Sequence, residues 1–163
     1  MISGLHHPAR PCRDSEATRR FYEELLGLPL VAAWRVGGAA GRPPRGLRTE
    51  YSLPDGNRLV FIEAPDSPAP TGQRRDPGPP LALETDERTL DGLLEHAWSL
   101  GIEVRGPVPR DGSHAIQLRD PDGSVVEVIA RRAADDAGRE ENATAARAAL
   151  RLWQAERRLA RAA

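Results

Sequence analysis

Apolar positions alternate with polar ones in short segments over the first part of the chain, interrupted by one helical stretch. They predict a strand, a helix and three further strands, at about residues 5–13, 14–26, 28–36, 48–53 and 58–63. Asp14 or Ser15 is the expected N-cap of the helix, and Gly27 ends it. The Gly- and Pro-rich residues 37–47 predict a surface loop, and Pro54-Asp55-Gly56 predicts a hairpin turn.

The same order of elements returns after a Pro- and Gly-rich stretch that predicts a linker. Strand, helix and three strands are predicted at about residues 81–85, 86–100, 102–104, 115–118 and 125–129, with a loop at 107–112. Pro121-Asp122-Gly123 repeats the earlier hairpin turn. A βαβββ unit cannot cover both faces of its own sheet. Two such units therefore predict an α+β fold, in which paired sheets form a curved, partly open β-barrel-like cavity with helices outside.

The composition changes to Ala, Arg and Glu from about residue 133. Ala146, Leu150, Trp153 and Arg157 recur at helical spacing, which predicts a C-terminal helix that packs on the body or on another subunit. We expect one domain at about residues 1–131, followed by a helical extension at 133–163. Within the domain, the first module spans about residues 3–64, the linker 65–80 and the second module 81–131.

Charge and composition restrict the classes of function. The 23 basic and 24 acidic side chains give a formal net charge of −1, so no cationic field favours nucleic acid. All basic side chains counted are Arg, which excludes a Schiff-base lysine and a phosphate-loop lysine. The single Cys12 cannot form an intrachain disulfide, and no early apolar run resembles a signal peptide or a membrane span. We expect a cytoplasmic protein with a small-molecule partner, and neither a nucleic acid nor a membrane.

One carboxylate interrupts the last apolar strand. Glu127 stands between Val126 and Val128, directly after the second hairpin turn. Burying it there would raise its pKa and would cost several kcal/mol without a cation or donor. Two interpretations stay open: Glu127 faces water, or it lies in the cavity together with Val125 and Ile129.

Several segments resemble the vicinal oxygen chelate superfamily, which contains glyoxalase I, fosfomycin-resistance enzymes, methylmalonyl-CoA epimerase, extradiol dioxygenases and bleomycin-binding proteins. The similar segments are Gly4-Leu5-His6-His7, Arg13-Asp14, Phe21 through Leu30, Leu100 through Val104, and Arg119 through Gly123. The resemblance covers about residues 3 to 131. It implies a substrate cavity and a homodimer, with the cavity either within one chain or across a swapped pair.

The resemblance also implies a metal site with substrate oxygens as chelators. His7 matches the His or Gln on the first strand of metal-dependent members, and Glu127 matches the Glu on the last strand. Such ligands suit Mn, Fe, Ni or Zn. In the second half, Pro79-Pro80-Leu81 stands where the first-strand ligand should be, so that ligand is absent. Glu63 is the weaker candidate for a third ligand, because alternation places it on the face opposite Val60.

Other residues are candidates for substrate contacts. Gln117 and Arg119 suit the orientation of an anionic or carbonyl-bearing ligand, whereas Tyr51 and Trp34 either line the cavity or fill a core. Cys12 is expected to be a packing residue. The weaker candidates are His114, Glu84, Arg42, Arg45 and Arg48.

Two functions follow from the resemblance. The first is an enzyme of lyase, isomerase, transferase or oxygenase type, in which His7 and Glu127 act with a metal or as an acid/base pair. The second is a metal-free protein that sequesters a drug or metabolite, as the bleomycin-binding branch does. Retention of His7 and Glu127 favours the enzyme, and the missing ligand favours sequestration. Of the two, the enzyme is the expected function and sequestration the alternative.

Overall fold

A computed structural model describes residues 7–38, 45–63, 80–110, 113–130 and 139–162. The chain divides into two compact units, residues 1–130 and 131–163. The first unit contains both predicted modules, and the second contains the C-terminal helix.

The first module is a four-stranded sheet with one helix. Its elements are β1 (Ala9–Cys12), α1 (Ser15–Arg19), a π-helical segment (Arg20–Leu25), β2 (Leu30–Val36), β3 (Gly46–Ser52) and β4 (Arg58–Glu63). Asp14 caps α1, since its carboxylate accepts hydrogen bonds from the backbone N–H groups of Glu16 and Ala17. The strand order is β1-β4-β3-β2, with β1 parallel to β4 and the other pairs antiparallel.

The second module repeats this arrangement. Its elements are β5 (Leu81–Thr85), α2 (Glu87–Ser99), β6 (Val104–Arg110), β7 (Ser113–Arg119) and β8 (Val125–Ala130). The strand order β5-β8-β7-β6 matches that of the first module, and β5 runs parallel to β8. The predicted α+β fold with two βαβββ modules is therefore confirmed. The edge strands are β1 and β2 in the first sheet and β5 and β6 in the second, and among the described residues neither sheet closes into a barrel.

The two modules share one hydrophobic core on the helical sides of their sheets. In the first module, the ring of Tyr22 lies 4.5 Å from that of Phe61 and 6.0 Å from that of Tyr51, measured between centroids. In the second module, Ile116 and Val126 belong to the same core. Burial of these side chains supplies the main driving force that holds the modules together.

Hydrogen bonds from Tyr22 and Arg13 also join the modules on the same side. The Tyr22 hydroxyl donates a hydrogen bond to Oδ2 of Asp120 at 3.1 Å. Arg13 donates from its backbone N–H and from Nε to Oδ1 of Asp122, at 3.1 Å and 2.8 Å. The turn before β8 is therefore tied to the start of the first module.

Strand register defines a second side on each sheet, which we call its open face because it is opposite the helices. On the first sheet the open face includes Ala9, Trp34, Arg48, Glu50, Arg58, Val60 and Ile62. On the second sheet it includes Ala82, Glu84, Ala115, Gln117, Arg119, Val125, Glu127 and Ile129. Both open faces are turned away from the shared core.

Strand β6 is much longer than predicted. β6 was expected to end at Val104 before a loop, but it continues to Arg110 and includes Pro107 and Pro109. Proline cannot donate a ladder hydrogen bond, yet β6 is an edge strand, and its pairing with β7 is irregular between Arg105 and Val108. An edge position removes the usual cost of proline in a strand. The predicted linker, apart from Pro80, and Arg42 lie outside the described residues.

The C-terminal unit contains α3 (Arg139–Ala162), which confirms the predicted helix. Leu150, Leu152 and Trp153 are exposed on it. None of the helices in the described part of the chain is long and apolar enough to cross a membrane.

Candidate functional site

His7 lies two residues before the start of β1, beside a guanidinium group. Its Nε2 is 3.3 Å from Nη2 of Arg48, which projects from β3. An arginine side chain can only donate hydrogen bonds, so a hydrogen bond in this contact requires Nε2 of His7 as the acceptor. The pairing β1-β4-β3 brings together these two residues, which are 41 positions apart in sequence.

Trp34 faces Arg48 across the β2–β3 pair. The Cζ atom of Arg48 lies 5.1 Å from the centroid of the indole ring, within the range of a cation–π interaction. The Trp34 residue remains 44% exposed. The sequence left open whether Trp34 lines a cavity or fills the core, and the structure places it on the open face.

Glu50 is a buried carboxylate between two arginines on this face. Its Oε1 accepts hydrogen bonds from Nε and Nη2 of Arg48 at 3.1 Å and 2.8 Å, and its Oε2 accepts one from Nη1 of Arg58 at 2.6 Å. The hydrogen bonds from Arg58 and Arg48 hold the pKa of Glu50 below its ordinary value. Glu50 was missed in the sequence, although the alternation Arg48-x-Glu50 places both side chains on one face.

Glu127 lies in the middle of the open face of the second sheet. Ala82 on β5 and Gln117 on β7 are its register partners, and the residue is only 5% exposed. Val125 and Ile129, which were predicted to share a face with Glu127, do so in β8. Arg119 lies on the same face, and its Nη1 donates to the carbonyl oxygen of Gly123 in the hairpin turn.

Two predicted site residues lie on the helical side instead. The Glu63 carboxylate accepts a hydrogen bond at 2.7 Å from the backbone N–H of Ser15, at the start of α1. Tyr51 is fully buried in the ring cluster with Tyr22 and Phe61. Glu63 and Tyr51 therefore contact the helix and the core on this side, and neither lies on an open face.

The remaining candidates are scattered. His114 is exposed and lies on the face of β7 opposite Gln117, which is the helical side. Glu84 is exposed on the open face. Arg45 precedes β3 and is exposed. Cys12 is buried, and burial raises the pKa of its thiol, which fits the predicted packing role.

The side chains around His7 and Glu127 decide whether the chain could hold the metal that the resemblance implies. The described residues contain no group of three His, Cys, Asp or Glu side chains that could hold a metal ion. The lone pair of His7 Nε2 is directed to a guanidinium, and Ala82 stands beside Glu127 where a ligand could have projected. Within one copy of the chain, these residues do not fit a metal centre.

Comparison with known proteins agrees with the strand order and the paired modules. Residues 4–128 match the model of the Glyoxalase/Bleomycin resistance protein/Dioxygenase superfamily. The chain belongs to this superfamily. Members with solved structures share its fold at low sequence identity.

Three solved structures illustrate the range of similarity. A glyoxylase/bleomycin resistance protein/dioxygenase domain from Frankia sp. EAN1pec is 22% identical, with a TM-score of 0.65, over 82% of this chain and 96% of that one. The fosfomycin resistance protein FosX from Listeria monocytogenes, complexed with Mn(II) and 1S,2S-dihydroxypropylphosphonic acid, is 22% identical, with a TM-score of 0.62 and the same coverages. The antibiotic binding protein TnmS3 from Streptomyces sp. CB03234 is 25% identical, with a TM-score of 0.58, over 80% and 98%.

Proposed function

We propose that this superfamily member binds a small organic molecule on the open face of its first sheet and sequesters it without a metal. The observation that carries this proposal is the contact between Arg48 and His7. The guanidinium uses the imidazole lone pair that a metal would need, and it also lies over the Trp34 ring. A cation and a half-exposed indole beside His7 make a binding surface for an organic ligand rather than a coordination site.

We propose that the binding protein is a homodimer. Support comes from the shared core, because both open faces turn away from it and a second copy could cover them. In such a dimer the open face that carries His7 in one copy would meet the open face that carries Glu127 in the other. Sedimentation equilibrium of the full chain tests the stoichiometry.

A second candidate function is an enzyme in which His7 and Glu127 form an acid/base pair on an oxygenated substrate. It is favoured by the burial of Glu127, which is held at 5% exposure on an open face. A carboxylate that is largely removed from water has the environment of a general acid or base.

Metal analysis separates metal-free sequestration from an enzyme in which His7 and Glu127 act with a metal. The full chain is purified without chelator from cells supplemented with Mn and Fe, and Mn, Fe, Ni and Zn are measured per chain. Sequestration without metal predicts far less than one metal per chain, with no change in His7→Ala or Glu127→Gln.

The contrary result is near-stoichiometric metal that is lost in both variants. It would overturn metal-free sequestration and would move the metal-assisted enzyme to first place. His114→Ala is the matched control, because His114 is an exposed histidine on the other side of its sheet from Glu127.

A further inference from the structure

The charged side chains of the first open face do not cancel. Among the described residues, Arg48 and Arg58 are the cations on this face, and Glu50 is the carboxylate between them. Two guanidinium groups and one carboxylate leave one uncompensated positive charge. The Glu50 side chain is only 7% exposed and its carboxylate is paired with both arginines, so it repels an incoming anion only weakly.

Donor groups remain available around this excess charge. In the described part of the chain, Nη1 of Arg48 and both Nε and Nη2 of Arg58 have no hydrogen-bond acceptor. The Arg58 side chain is 47% exposed and the Arg48 side chain is 19% exposed. A guanidinium that keeps free N–H groups at a water-accessible position is suited to a carboxylate or another planar anion.

Apolar surface adjoins these donors. Trp34 is next to Arg48 across the β2–β3 pair, and the partly buried Ile62 on β4 faces Arg48 across the β3–β4 pair. The half-exposed indole offers an aromatic surface the size of a single ring. Charge and apolar surface therefore lie side by side rather than on separate parts of the sheet.

Resting on the proposed binding function, we propose that the ligand class is an aromatic carboxylate, or a similar small anion with a ring-sized apolar body. Arg58 and Arg48 receive the anionic group, and Trp34 contacts the ring. A neutral ligand leaves the excess positive charge unpaired, and a cationic ligand adds to it.

Benzoate and benzamide are matched probes for this class, because they share a ring and a planar head group but differ in charge. Each is titrated into the ¹⁵N-labelled full chain while the indole N–H signals of the three tryptophans are followed by NMR, and sodium chloride serves as the salt control. Trp34→Phe identifies the Trp34 signal. We expect a saturable shift of that signal with benzoate at millimolar concentration and none with benzamide or chloride.

Charge variants give effects of opposite sign. Arg58→Gln should weaken benzoate binding about tenfold or more, since it removes a charge-assisted contact. Glu50→Gln should tighten binding, because it removes the negative charge between the arginines. A purely structural role for the network would weaken binding in both variants. Arg35→Gln is the control, since Arg35 lies on the same sheet but its register partner is Leu47 on the helical side.

Three results would overturn the ligand class. They are equal binding of benzamide and benzoate at Trp34, equal weakening by Arg35→Gln and Arg58→Gln, and no shift of the Trp34 signal with benzoate. Equal binding of the two probes leaves small-molecule binding standing. The binding function itself fails instead on the metal content, which is measured without either probe.

Discussion

The hydrogen bond between Tyr22 and Asp120 gives the sharpest test of how the two modules are held together. Both residues are buried, at 0% and 6% exposure, and they are 98 positions apart in sequence. Tyr22→Phe removes the hydroxyl that donates to Oδ2 of Asp120 at 3.1 Å. Oδ1 still accepts hydrogen bonds from the backbone N–H groups of Ser124 and Asp122. The variant therefore removes one donor from a carboxylate that keeps two.

The size of the effect follows from the charge on Asp120. A hydrogen bond to a charged group contributes about 1.5–3 kcal/mol, and a bond between neutral groups about 0.5–1.5 kcal/mol. We therefore expect Tyr22→Phe to lower the free energy of unfolding by about 1.5–3 kcal/mol at pH 7. Fluorescence-detected urea denaturation of the full chain measures this loss.

The loss should shrink in acid. Burial raises the pKa of Asp120 above its ordinary value of 3.8, so the folded state binds this proton more readily than the unfolded state does. Asp120 therefore makes stability fall as pH rises from 3.8 through the raised pKa. Removing the Tyr22 hydroxyl raises that pKa further, since the hydrogen bond favours the charged form. The cost of Tyr22→Phe should accordingly be smaller at pH 4 than at pH 7.

Tyr51→Phe is the matched control for this prediction. Tyr51 is equally buried in the same ring cluster, but its hydroxyl has no hydrogen-bond partner among the described residues. Its removal should change the free energy of unfolding by less than about 0.5 kcal/mol. A loss in Tyr22→Phe that is no larger than in Tyr51→Phe, or that is the same at pH 4 and pH 7, would refute the role given to Asp120.

Two further predictions concern the first sheet and the edge of the second. Because arginine partners lower the pKa of Glu50, its contribution to stability is present above pH 4.5 and is lost as pH falls through the lowered pKa. In urea denaturation between pH 3 and pH 7, Glu50→Gln should therefore reduce the fall in the free energy of unfolding that occurs in acid. An unchanged fall would contradict this prediction. Gly106→Ala should destabilise by about 1–3 kcal/mol, since Gly106 has φ +113° and a Cβ there would lie 2.7 Å from the carbonyl oxygen of Ala115. Gly92→Ala, in the interior of α2 with no atom within 4 Å of its Cβ position, should instead stabilise by about 0.5–1 kcal/mol; equal effects of the two substitutions would show that the close approach at Gly106 is unimportant.

The duplicated fold could be predicted from the sequence because its signals are local. Both helices begin at an aspartate N-cap, Asp14 and Asp86, and both are followed by a glycine with positive φ, Gly27 and Gly101. Period-two alternation also predicted which residues share a face with Glu127, and strand register agrees with that grouping. These signals need only a few residues of neighbouring sequence.

The site on the first sheet could not be predicted in the same way. The contact of His7 with Arg48 depends on β1 pairing with β4, and β4 with β3, and no local signal specifies that order. Arg48 was predicted to begin a strand and was listed only among the weaker candidates, with Arg42 and Arg45, because nothing near it in sequence indicates His7 as its partner. Similarly, nothing near Asp120 in sequence indicates that Tyr22 is its partner.

Two separate features of the chain oppose a metal site, one on each sheet. On the first sheet, Arg48 occupies the lone pair of His7 Nε2, and Glu50 holds Arg48 in place with two hydrogen bonds. On the second, Ala82 is the strand neighbour of Glu127 and offers no donor atom. Each feature alone would leave part of a ligand set, but together they leave one buried carboxylate and one imidazole that already has a donor. The same arginine that disfavours a metal at His7 also contributes to the excess positive charge of the first open face, so the metal-free function and the anionic ligand that we propose have one structural basis.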